Sequence, residues 1–62
     1  MDYAEKIKQL LDSLETSRII AGAIFEEYAN DSDYESALLF QLVRDNIEQQ
    51  KIAAENMLAY IE

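Results

Sequence analysis

Asn30-Asp31-Ser32-Asp33 is the polar, acidic break in a chain of 62 residues, and it separates two nearly equal segments that both carry helical patterning. Each arm is about 28 residues, roughly 42 Å long at 1.5 Å per residue, so the arms match in length and can fold back on one another as an antiparallel hairpin. Ser32-Asp33-Tyr34-Glu35 fits a capping box, in which the serine hydroxyl accepts from the Glu35 N–H and the Glu35 carboxylate accepts from the Ser32 N–H. Asn30 suits the left-handed position that often closes a helix. A shift of the cap by one residue to Asp31 is the alternative. The expectation is a single helical-hairpin domain over 1–62, with helix 1 over about 3–29, the turn over about 30–32 and helix 2 over about 33–61.

Outward from the turn, Ile7, Leu14, Ala21 and Tyr28 recur every seven residues. Tyr3, Leu10 and Ile24 flank that row on one side, and Ala4, Leu11 and Phe25 on the other. In the second arm Phe40, Ile47, Ala54 and Ile61 form the row, with Leu39, Ala53 and Tyr60 beside Val43 and Met57. Spacings of three and four sustained in this way predict near-antiparallel helix packing at about 20°. The chain has no proline and one glycine, so nothing breaks either helix internally. Folding at the turn is expected to oppose residues whose numbers sum to about 64, such as Phe25 with Leu39 and Ala21 with Val43. Midway along, Ser17, Arg18, Arg44, Asn46, Gln50 and Lys51 interrupt the stripe; such groups snorkel, pair with Glu15, Asp45 or Glu48, or set the register. Tyr28 and Tyr34 at the turn, and Tyr3 and Tyr60 at the open end, are expected to cover the terminal layers.

One hairpin leaves apolar side chains over. Ile19, Ile20 and Ala23 on helix 1 and Leu38 and Leu42 on helix 2 fall outside the inner stripes, and burying the four large ones is worth roughly 1.5–3 kcal/mol each. A domain of this size draws only about 3–5 kcal/mol from its own core, and the chain has no cysteine to staple it. These five residues are therefore the candidate oligomer interface, and a homodimer forming a four-helix bundle is the expected assembly. Gly22, between Ala21 and Ala23, suggests a close helix crossing at that interface.

Thirteen acids against five bases give a net charge of −8, which disfavours nucleic acid and anionic membranes as partners and leaves a basic protein surface as the complementary one. Glu26, Glu27, Asp31, Asp33 and Glu35 place five carboxylates in ten residues, with no Lys or Arg from Ile19 to Val43. Asp33 and Glu35 face the positive N-terminus of helix 2, whereas Glu26 and Glu27 stand near the negative end of helix 1, where an acid is unfavourable by about 0.3–1 kcal/mol. These five are the candidate partner-docking residues, and the plain alternative is a solvated end that keeps the protein soluble.

Calcium chemistry fits poorly, because counting from Asp31 puts Ser36 and Leu42 where an EF-hand loop needs glycine and a bidentate acid. With no histidine or cysteine, and with serines lacking a recognisable base or oxyanion site, no catalytic, cofactor or metal residue is assigned, and no enzymatic activity is expected. The longest apolar run, Ile19 to Phe25, is far short of the roughly 20 residues that span a bilayer. The first residues lack the basic and apolar regions of a signal peptide, so the expected location is cytoplasmic.

A chain of this length, with two equal helices and the acidic turn Asn30-Asp31-Ser32-Asp33, resembles the Rop family of plasmid RNA-binding hairpins, which dimerise into antiparallel four-helix bundles. The resemblance implies a comparable assembly. It implies no RNA site, since binding of that kind requires a basic and aromatic face on helix 1, where this chain offers Lys6, Lys8 and Arg18 among Asp2, Glu5, Asp12, Glu15, Glu26 and Glu27. The functional expectation is a small acidic, homo-oligomeric interaction or regulatory module. One alternative is an acidic inhibitor or nucleic-acid mimic that docks on a basic protein; another is a ligand- or metal-binding helical bundle.

Overall fold

A computed structural model describes residues 2–62. It is an all-α hairpin of two 28-residue helices, α1 (Tyr3–Asn30) and α2 (Tyr34–Ile61), packed side by side in a rod of 46 × 14 × 12 Å. Helix α1 starts at Asp2, whose Oδ1 accepts from the Glu5 N–H at 3.1 Å, and so satisfies one of the free amides of the first turn. No helix among the described residues is long and apolar enough to cross a membrane.

The turn is built one residue later than the sequence suggests. Asn30 remains helical, and Ser32 takes the left-handed conformation with φ of 61°. The Ser32 N–H donates to the Ala29 carbonyl at 3.1 Å and the Asp33 N–H to the Tyr28 carbonyl at 2.9 Å. This pair of bonds is a Schellman closure, and it satisfies carbonyls that the end of α1 would otherwise leave free. Asp33, not Ser32, caps α2, its Oδ1 accepting from the Ser36 N–H at 3.2 Å. The reason is geometric: a residue committed to positive φ cannot also hold the extended backbone of an N-cap, so the cap passes to the next short acidic side chain.

Only Ala21 and Ala37 are buried among the described residues, at 4% and 3% exposure. Around them a half-buried seam uses Ala4, Leu11, Arg18 and Phe25 with Ile7, Leu14 and Tyr28 from α1, and Arg44, Lys51 and Leu58 with Phe40, Ile47 and Ala54 from α2. On α1 the central row and the row of Ala4, Leu11 and Phe25 match the sequence pattern, whereas Tyr3 and Leu10 of the other flanking row are exposed. On α2 the seam is rotated by part of a turn: Leu39, Val43, Ala53, Met57 and Tyr60, expected on the inner rows, are exposed, and Arg44 and Lys51 stand in the seam. Their aliphatic stems cover apolar surface while their charges find partners at its edge.

Cross-helix partners are offset as well. Phe25 lies under Arg44, with the guanidinium carbon 5.1 Å from the ring centroid, instead of meeting Leu39; Tyr28 stacks on Phe40 at 5.8 Å. Helical side chains lean toward their own N-terminus, which is the open end for α1 and the turn for α2, so the α2 residue that an α1 tip meets lies further from the turn than level backbones imply. Of the four tyrosines only Tyr28 packs in this way; Tyr3, Tyr34 and Tyr60 are exposed in the hairpin.

Candidate interaction surface

The two sides of the seam differ in chemistry. On one side Glu15 accepts from Arg18 Nη2 at 2.6 Å and from Arg18 Nε at 3.2 Å, and reaches across to Lys51 Nζ at 2.7 Å. Arg18 Nε also lies 3.9 Å from Glu48 of α2, and Lys8 Nζ lies 3.7 Å from Glu62 at the open end. Donation from Arg18, and then from Lys51, holds the Glu15 carboxyl at a pKa of about 2, well below its ordinary value. The same bonds push the Arg18 and Lys51 values up. Of the polar layer anticipated from the sequence, Arg18 and Lys51 enter an ion-pair network that joins the helices, Arg44 lies over Phe25, and Ser17 faces the groove on the opposite side.

The opposite side is apolar and open. A groove of about 250 Å³ runs between Ser17, Ile20, Ala21 and Ile24 of α1 and Phe40, Val43 and Ile47 of α2. Toward the open end a second hollow, of about 510 Å³, is bounded by Ala53, Asn56, Met57 and Tyr60. Leu39 and Leu10 are exposed, at 60% and 50%. Leu10 stands fourteen residues before the groove residue Ile24, on the same seven-residue row. The sequence pattern holds these residues, but it reads Leu39, Val43 and Met57 as interior to one hairpin, because hydropathy does not say which side of a seam an apolar residue flanks.

All five candidate interface residues are exposed: Ile19, Ile20, Ala23, Leu38 and Leu42. Only Ile20 lines the groove. Ile19 and Ala23 stand two residues on either side of buried Ala21, about 200° around α1 at 3.6 residues per turn. Leu42 lies midway between Phe40 and Arg44, both in the seam, and so points outward. Leu38 is beside Ala37, on the flank away from the groove. Within the hairpin Gly22 marks no close crossing: a Cβ added there would meet Arg44 Cδ at 3.7 Å, an ordinary contact.

At the turn, Asp33 is engaged as a cap, Asp31 closes α1 and Glu35 sits in the first turn of α2. Glu26 and Glu27 are exposed, and none of the ion pairs among the described residues includes them. No group of three or more acidic side chains among the described residues comes together closely enough to hold a metal ion. No family model, curated protein or solved structure matches the chain.

Proposed function

We propose that this chain is a small acidic, cytoplasmic helical module without enzymatic activity, which works as a homodimer: two hairpins close their apolar sides on each other into a four-helix bundle, and the bundle serves as an interaction or regulatory unit. The observation that carries this reading is the absence, among the described residues, of any large buried side chain in a hairpin that leaves Leu39, Val43, Ile20 and Met57 in water on one side. Two stripes of this kind are half of a bundle core, and a second copy supplies the other half. The area suffices: a side 46 by 14 Å is a rectangle of about 640 Å² before corrugation, close to the ~800 Å² per partner of a standard interface.

Sedimentation equilibrium with circular dichroism over a concentration series tests it. The expected result is a helical species of twice 7.1 kDa that dissociates on dilution. A cooperatively folded 7.1 kDa monomer at high micromolar concentration contradicts the reading. Ile20, 55% exposed in the hairpin, has about 1 kcal/mol of burial left to gain per copy, so Ile20→Glu weakens the dimer by about 2 kcal/mol, some thirtyfold in dissociation constant.

A further inference from the structure

Two two-fold arrangements lay the apolar side of one hairpin on that of another. In the first, the axis lies across the rod: α1 packs on the second copy's α1, α2 on its α2, and the turns are at opposite ends. In the second, the axis runs along the rod, each α1 packs on the other copy's α2, and the turns are together. We propose that the second copy sits in the first arrangement; this rests on the homodimer reading and adds its orientation and contacts.

The face comes first. The other side of the seam is occupied by the Glu15, Arg18, Glu48 and Lys51 network, whose charges would have to be desolvated under a second copy. The groove itself has no charged side chain in its lining. Both arrangements bury the same apolar side chains there, so hydrophobic burial is common to both and charge decides between them.

The seven-residue row of α1 that contains the groove residue Ile20 is Lys6, Ser13, Ile20 and Glu27, with an exposed base near the open end and an exposed acid near the turn. The midpoint of Tyr3–Asn30 falls between Thr16 and Ser17, and Lys6 and Glu27 stand equally far from it, about 16 Å each way at 1.5 Å per residue. An axis across the rod at that level brings Lys6 to Glu27 of the second copy, and Glu27 to its Lys6. The other arrangement sets Lys6 at the level of Met57 and Tyr60, within a turn of Glu55 and Glu62, and sets Glu27 at the level of Ser36 and Leu39, where there is no base. It also brings together two base-free turns, each carrying Glu26, Glu27, Asp31, Asp33 and Glu35.

Helix α2 agrees. The midpoint of Tyr34–Ile61 falls between Ile47 and Glu48, and the same axis takes Leu39 to the level of Asn56 in the second copy. Asn56 belongs to the hollow bounded by Ala53, Met57 and Tyr60. The protruding leucine of each copy thus meets the apolar depression of the other, a knob over a hole.

Because the chain has no cysteine, Asn30→Cys carries a single nitroxide beside each turn. Dipolar electron spin resonance on the labelled dimer is expected to give a separation of about 40 Å or more, set by a rod 46 Å long. A separation below about 25 Å, with dimer mass retained, overturns the arrangement and leaves the dimer standing; monomer mass with no dipolar coupling overturns both. Charge reversal is the second test. Lys6→Glu should raise the dissociation constant several-fold, and adding Glu27→Lys should restore it. A double variant no tighter than the single one counts against the pairing.

Discussion

Gly22→Ala separates the two sides of the hairpin and has a magnitude that the structure sets. Glycine inside a helix is less favourable than alanine by about 0.8–1.0 kcal/mol, through the backbone freedom it loses on folding. That gain is realised only where the added methyl fits, and here its nearest neighbour is the middle of a flexible arginine side chain at 3.7 Å. No strain offsets the gain, so each hairpin should be stabilised by about 1 kcal/mol, which is roughly 4–8 °C in melting temperature for a domain of this size. Gly22 is on the Arg44 side of the seam, away from the groove, so a dimer closed through the groove keeps its contacts. The assay is thermal unfolding followed by circular dichroism at several concentrations, alongside sedimentation. A higher melting temperature with an unchanged apparent mass is expected. A lower one, or conversion of dimer to monomer, would show that a second backbone approaches Gly22 and would refute the assignment of faces.

Two further predictions concern the turn and the ion-pair network. Ser32 holds φ of 61° at a position where an L-residue is disfavoured by roughly 1–2 kcal/mol, while glycine adds about 0.5–1 kcal/mol of chain entropy; Ser32→Gly should therefore stabilise by about 0.5–1 kcal/mol and Ser32→Val should destabilise, both read by urea unfolding. Glu15, with its folded-state pKa near 2 and its unfolded value near 4.5, contributes stability that is fully present above pH 4.5 and is lost as pH falls toward 2; Glu15→Gln should remove that part of the acid limb, and an unchanged limb would rule out the network as its source.

The turn and both helices were legible in the sequence to within a residue, because two equal apolar-periodic arms around Asn30-Asp31-Ser32-Asp33 leave little choice. The division of labour within the turn was not. Asn is the better left-handed residue, but α1 runs on to Asn30, and the position of closure falls to Ser32. The α1 stripe was legible for the same reason as the helix itself, except that Tyr3 and Leu10 of one flanking row are exposed. The α2 stripe was read with Leu39 and Val43 inside, because hydropathy ranks them above Arg44 and Lys51. The relative rotation of two helices is decided by pairs across the seam: Glu15 with Lys51, and Phe25 with Arg44. No local pattern in either arm encodes those pairs. The same rotation brings Leu39 and Val43 to the surface, so the groove could not be read from the sequence although all its lining residues but Ser17 are apolar.

This rotation also bears on how the protein is stabilised. Placing Arg18, Arg44 and Lys51 in the seam gives each hairpin a fixed register at little net gain, since ion pairs this exposed contribute about 0–1 kcal/mol each and weaken with salt. Two buried alanines add little more. Within one hairpin the favourable terms are therefore small against the ordering of 62 residues. On the dimer reading the deficit is met between copies, by apolar side chains that one copy alone leaves in water, and folding becomes coupled to association. Stability then rises with concentration, and an unpaired copy is a poorly stabilised one. The network sets how each chain folds back, and on the same reading the apolar side takes up a second chain.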